Sequence, residues 1–319
     1  ITVWVEDELI FQTIDHFPQL DGDYTLGLKA STGSIVRSAS YFDNLQVFSL
    51  GKVDEKKLGV PLFKQHDPEW KSREYDHAKD WSENPTLQRW GCALSSAAMI
   101  LRYYGLDQLP TGQAMNPEEL NLWLKNQSDG FVGQGLLNWL AISRLTQLLN
   151  QELETPVLEY DRQTEQELEK AVAQIDQDQP VILQLPGHFT VADGYTAQQD
   201  DLYLKDPAYR YQLLSQHQKE LLSIRTLEPS QTDLSYFLFV TQPGVELTLI
   251  NQSQGQVIET QTYNEYLQDP TSDLEAGTQI SQLTTLAKPS FGNYQLAVIT
   301  PYSDPVSVEF YFYDQLGAV

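Results

Sequence analysis

The chain has 319 residues, a formal net charge of −24 and a composition that is 41% hydrophobic and 11% aromatic. That is enough apolar material for two or three cores, but too acidic a balance to track a phosphate backbone or settle on anionic lipid, both of which need clustered Lys and Arg. A single cysteine excludes an internal disulfide, and no apolar run of about 18 residues offers a membrane span.

Residues 1–50 read as β. TVWVEDELIFQTI alternates about an acidic turn, and DYTLGLKAS and ASYFDNLQVFSL follow, with Gly and Asp at the turns. About four strands are too few to close a sandwich, so partner strands are expected elsewhere. A chain that begins inside strand-like sequence without Met reads as a piece of a longer protein, its targeting signal not included.

Residues 51–228 turn to helical periodicity. Leu94, Ala97, Ala98, Leu101 and Tyr104 share one helical face, which Gly105 can terminate. Asn116 and Pro117 open a second helix, with Leu120, Trp123 and Leu124 on its buried side. A third is expected from Leu136 to Leu149. Thr164 and Glu167 form a capping box ahead of Leu168, Ala171, Val172 and Ile175. After Pro180 come strands, in VILQL, HFTVADGYT and DLYLKD. Helices followed by an antiparallel sheet make an α+β domain. Residues 229–319 return to β in YFLFVTQP, VELTLINQ, GQVIETQTY, NYQLAVITP and VSVEFYFYD, which read as a small antiparallel sandwich.

The lone thiol, Cys92, stands where a loop becomes a helix. Unpaired N–H groups and the helix dipole favour negative charge there, and a thiol reacts as its anion. The competing reading is a buried structural cysteine, since free Cys is among the most buried residue types. A nucleophilic thiol needs a base and an orienter for that base. Of the five histidines, His16 in the N-terminal β piece and His217 in a polar stretch read as surface residues. His66 follows Gln65. His77 lies in KSREYDHAKDWSENP, a charged stretch that reads as a surface insertion or a lid. His188 differs, because it follows Pro186-Gly187 at the start of an apolar strand. The next strand ends in Asp206-Pro207, and a hairpin of that length can bring Asp206 beside His188; Asp193 is the alternative orienter. The Cys92 N–H and a side-chain amide, from Gln65 or Gln88, are the candidate donors to an oxyanion. No zinc spacing, phosphate loop or calcium-loop pattern occurs, even around Asp21, Asp23, Asp200 and Asp201, so no metal or cofactor is assigned.

In order along the chain, VPLFKQHDPEW, GCALSSAAMILRYYG, NPEELNLWLKN, GLLNW, VILQLPGHFTVADGY and LYLKDP resemble the C39-like cysteine peptidases of bacteria, a branch of the papain-like fold, over residues 58–225. The resemblance implies Cys92 as nucleophile, His188 as base, Asp206 as orienter of His188, and Gln65 as oxyanion donor with Gln88 second. It implies a peptidase that cleaves amide bonds of a protein or a cell-wall peptide through a thioester. A catalytically silent binding module and an acyltransferase using the same triad are the alternatives. Nothing resembles an ABC transporter, so processing of bacteriocin leaders is not expected. YFDNLQVFSL resembles the closing strand of concanavalin- and laminin-G-like jelly rolls, which implies glycan contact through the N-terminal piece. The expected arrangement is a β segment (1–50), a papain-like domain (51–228) and a β-sandwich (229–319). It would be exported or held at the cell surface, without nucleic acid or membrane insertion.

Overall fold

The computed structural model describes residues 2–5, 8–12, 55–153, 155–163, 168–231, 233–265 and 280–319. The chain divides into two units, Ile1–Leu50 and Gly51–Val319. In the first, β1 (Thr2–Val5) and β2 (Glu8–Gln12) pair antiparallel, with a register irregularity between Val3 and Trp4. YFDNLQVFSL, His16 and the capping box at Thr164 and Glu167 lie outside the described residues.

The second unit begins with β3 (Lys56–Lys57), a long loop, α1 (Leu87–Trp90) and α2 (Cys92–Tyr103). Leu94, Ala97, Ala98 and Leu101 are fully buried, as their spacing predicts, and Gly105 beyond the helix end takes φ +79°. The charged stretch before α1 is not a mere surface insertion. Its Tyr75 and Ala78 are fully buried, and Tyr75 donates to the Gly135 carbonyl at 2.7 Å. In α3 (Pro117–Lys125) the Asn116 side chain caps the first turn, accepting from the Glu119 N–H at 2.9 Å.

Leu136 and Leu137 do not belong to a helix. They form β5 (Leu136–Leu137), paired with β4 (Phe131–Val132), and α4 starts later, over Trp139–Leu153. Asn138 makes the break. Its Oδ1 accepts from the Leu140 N–H at 3.1 Å and its carbonyl from Ala141, a local bonding pattern that begins a helix rather than continuing one.

The remaining elements of this region are β6 (Leu158–Gln163), α5 (Leu168–Asp176), β7 (Val181–Leu185), β8 (His188–Tyr195), β9 (Leu202–Lys205) and β10 (Ser223–Pro229). They build an antiparallel sheet in the order β3-β8-β7-β10-β6, with β9 also on β8. All of β8 is buried, because α2 and α5 pack against it. Each large apolar side chain so enclosed contributes about 1.5–3 kcal/mol. The periodicity reading missed β6 and β10, because Glu159, Arg162 and Arg225 interrupt their apolar residues.

The C-terminal strands form two antiparallel sheets. One joins β11 (Tyr236–Thr241), β14 (Gln261–Glu265), β15 (Ser281–Ala287) and β17 (Glu309–Tyr313) in the order β14-β15-β11-β17. The other joins β12 (Glu246–Asn251), β13 (Gln256–Ile258) and β16 (Tyr294–Ile299) in the order β13-β12-β16. GQVIETQTY therefore feeds both sheets instead of making one strand. Buried polar contacts tie these strands to the preceding region. Glu265 on β14 pairs with Arg225 on β10. Tyr313 on β17 donates to Asp129 at 3.0 Å and accepts from Asn138 at 2.8 Å. No helix among the described residues is long and apolar enough to cross a membrane.

Candidate active site

Cys92 is the first residue of α2, and its side chain is half-buried rather than sealed in the core. The glycine before it is required by space, not by an unusual backbone. Gly91 has φ −81°, and a Cβ there would come within 2.5 Å of the Leu87 carbonyl oxygen. Any larger residue would push the helix start away from α1 and from Gln65, whose Cβ would lie 3.4 Å off.

His188 reaches the same place from the sheet. Leu185 and His188 pair directly across the turn Pro186-Gly187, where Gly187 takes φ +66°. Proline followed by a glycine of positive φ suits a type II turn. Lys219 Nζ donates to the Pro186 carbonyl at 2.7 Å and holds that turn. His188 Nε2 lies 3.1 Å from Asp206 Oδ2, and Cys92 is near enough to act on the same ring. With Nε2 on the carboxylate, Nδ1 is the ring nitrogen left for the thiol.

Asp206 follows β9, which lies beside β8 with Lys205 opposite Val191. Its Oδ1 accepts the backbone N–H groups of Ala208 (2.8 Å) and Tyr209 (2.7 Å), a side-chain-closed turn that fixes the carboxylate. Lys64 Nζ donates to the Asp206 carbonyl at 2.5 Å and also to that of Tyr209. The neighbouring Gln65 N–H donates to the Pro207 carbonyl at 3.0 Å. The 64–65 segment thus straps down the loop that carries Asp206. Gln65 itself is buried, and its Nε2 donates to the Gln88 backbone carbonyl at 2.6 Å. Gln88 comes to the site through that carbonyl, while its side chain is exposed.

Burial of the His188 ring works against its cation. The hydrogen bond to Asp206 and the charge of its carboxylate, with Cys92 beside the ring, outweigh burial and raise its pKa to about 9. Burial also acts to raise Asp206, yet the donors His188 and His217 hold its carboxyl well below the usual carboxylate range. The site therefore favours an imidazolium beside the Asp206 carboxylate. Tyr209 stands edge-on to His188, with ring centres 5.2 Å apart, and stacks on Tyr211 at 5.3 Å. Gln65, His66, Lys71, Gln88 and Ala208 line an open groove of ≈ 360 Å³.

The structure thus brings Cys92, His188, Asp206 and Gln65 into one place. Asp193, the alternative orienter, sits farther along β8 and pairs with Lys205 at 3.2 Å. His77 bonds Asp76 at 3.0 Å and is largely exposed. His217 overturns the surface expectation. Its side chain is 2% exposed and its Nε2 lies 2.7 Å from Asp206 Oδ2. Nothing in the polar run around it signals burial. The only clue is that it follows, by 11 residues, an aspartate already under suspicion. Among the described residues, His188, Asp206 and His217 are also the group whose ligand-type atoms could meet on a cation, all within 4.8 Å of one another. In this structure those atoms hydrogen-bond each other.

The thiol at the start of α2 thus shares its place with an imidazole at the start of β8 and a carboxylate just after β9. Residues 57–224 match the Peptidase_C39 like family, and the chain belongs to that family. A crystal structure from Bacillus anthracis described as a C39-like peptidase aligns with 56% of this chain and 100% of its own, at 16% identity and a TM-score of 0.31. No curated protein matches the chain.

Proposed function

We propose that the protein is a cysteine peptidase in which Cys92, His188 and Asp206 act as a triad and Gln65 helps to hold the oxyanion. One observation carries the reading: a single imidazole hydrogen-bonds a buried carboxylate and stands beside the only thiol in the chain. The Cys92 thiolate attacks the carbonyl carbon of a peptide bond. The oxyanion that forms is held by the Cys92 N–H at the helix start and by a Gln65 amide hydrogen. The C–N bond then breaks, the His188 Nδ1 proton goes to the leaving amine, and a thioester remains on Cys92. His188, now neutral, takes a proton from water as the water attacks the thioester. A carboxylic acid product leaves, and the thiolate–imidazolium pair is restored. Asp206 keeps the ring oriented and stabilises its cation throughout. The open groove along Gln65, His66, Lys71, Gln88 and Ala208 is where an extended peptide would lie. Its substrate would be a protein or a cell-wall peptide.

The test is cleavage of a peptide library by the full chain, followed by mass spectrometry, with Cys92→Ala in parallel. Cleavage that disappears in the variant supports the reading. Equal cleavage by both proteins, with Cys92 alkylated by iodoacetamide no faster than a free thiol, would sink it.

A further inference from the structure

We propose that His217 is a positioning residue, a second imidazole that locks the Asp206 carboxylate into the orientation His188 needs. The inference rests on the triad reading above, and concerns a residue that touches neither substrate nor thiol.

The argument begins with the valence of the carboxylate. An ionised Asp offers about four lone-pair sites. Asp206 fills them all: Ala208 and Tyr209 N–H on Oδ1, His188 Nε2 and His217 Nε2 on Oδ2. The His217 contact, at 2.7 Å, is shorter than the His188 contact at 3.1 Å. Asp206 is 1% exposed, so water cannot complete an unfilled site. Because Oδ2 is ionised, His217 Nε2 must carry the proton and donate it. Without that donor Oδ2 would hold only one hydrogen bond, and the carboxylate would be free to tilt about its Oδ1 anchors.

His217 is built to stay in place. It closes a 3-10 turn, Leu214–His217, just after Gln212, whose carbonyl accepts from the Leu204 N–H of β9 at 2.9 Å. Ser215 donates to Asp201 through its backbone at 3.1 Å and its hydroxyl at 2.6 Å. Gln216 Oε1 accepts from the N–H groups of Gln212 (2.7 Å) and Leu213 (3.0 Å). The His217 ring is flanked edge-on by Tyr211 at 4.7 Å and Tyr209 at 5.6 Å. The segment after Asp206 therefore loops out, is stitched to the start of β9, and returns an imidazole to the carboxylate it left 11 residues earlier. A residue needed only to fill space would not require a ring nitrogen aimed at the oxygen that already holds His188.

The experiment uses the full chain and a peptide that it cleaves. His217→Met and His217→Gln have similar shapes, but only Gln carries a donor of comparable reach. His217→Met is expected to lower kcat about 10-fold or more with KM within about twofold, as misplacement of a catalytic group does, and His217→Gln to recover most of it. In an Asp206→Asn background, His217→Met should cost nothing further, because it acts through Asp206. A folded His217→Met protein with wild-type kcat, or losses that multiply in the double variant, overturns the proposal. If His217→Met does not fold, the wild-type protein labelled with ¹⁵N-histidine supplies the answer. Two slowly exchanging Nε2–H protons are expected, both lost in Asp206→Asn, and an unprotonated His217 Nε2 overturns the proposal. Cys92→Ala separates the two levels. If it retains cleavage, the triad reading fails. If it abolishes cleavage while His217→Met does not slow it, only the role of His217 fails.

Discussion

Arg225 and Asp206, two of the charges withdrawn almost completely from water among the described residues, are partnered in opposite ways. Arg225, in the middle of the sheet on β10, is enclosed entirely by fixed groups. Its Nη2 donates to Gln184 Oε1 at 3.0 Å and to Glu265, and Gln184 Nε2 donates to Glu265 at 2.6 Å. Its Nε and Nη1 find no acceptor, and the guanidinium lies over the rings of Phe189 at 4.8 Å and Trp139 at 5.2 Å. Asp206 is just as buried, but one of its partners, His188, stands beside a half-buried thiol. A closed cluster can only hold two sheets in register. A cluster that ends on a titratable, accessible atom can move a proton.

The comparison can be broken at several points. The largest effect is expected from Cys92→Ala, which should reduce kcat/KM by about 10⁴-fold or more while leaving the melting temperature nearly unchanged, read by peptide cleavage and calorimetry. Glu265→Leu should do the reverse. It orphans the Arg225 cation and should cost about 3–5 kcal/mol of stability, seen as a lower denaturant midpoint. The alkylation rate of Cys92 should hold while the protein is folded. Arg225→Met in that background should restore most of the loss, because the unpaired charge is then gone. A Glu265→Leu protein of wild-type stability would show that the C-terminal sheets are merely appended.

Acidity separates the two clusters as well. His188 is raised from 6.5 to about 9, so its contribution to stability is present in full below about 6.5 and is lost as pH rises through about 9. Asp206 is lowered from 3.8, so its contribution is present above that value and is lost on acidification. Arg225 is held above its ordinary value, since the pull of Glu265 outweighs burial, and it stays charged across this window. The melting temperature should therefore fall between about pH 6.5 and 9, with an alkaline limb in kcat/KM near pH 9. His188→Gln should remove most of that fall, and Glu265→Leu should leave its shape unchanged. The smallest effect is expected at a site in neither cluster: Asn116→Ala should cost about 1 kcal/mol through loss of the α3 cap, with unaltered cleavage.

Much of this was legible in advance because it is local. The α2 face, the Asn116 cap, the Pro186-Gly187 turn and the Asp-Pro after β9 are each written within a few residues, and they put Cys92, His188 and Asp206 at element ends. Hydrophobic periodicity fails where charge is buried. β10 carries Arg225, whose partner lies 40 residues on, and so does not read as a central strand. His217 sits in a run of polar residues that looks solvated, and only the return of its loop to Asp206 buries it. Leu136 and Leu137 are apolar enough for a helix or a strand, and the side chain of Asn138 decides.

By itself the sequence determined most of the helices and strands, the lone thiol and the residues that could serve it, because turn chemistry, caps and apolar spacing act over a few bonds. Only the tertiary structure decided that Asp206 is shared by two histidines, that Gln65 approaches Gly91 from 26 residues away, and that the C-terminal strands close over a buried arginine. The reason is physical: a buried charge is tolerated only where remote partners converge on it, and that convergence is a property of the folded chain.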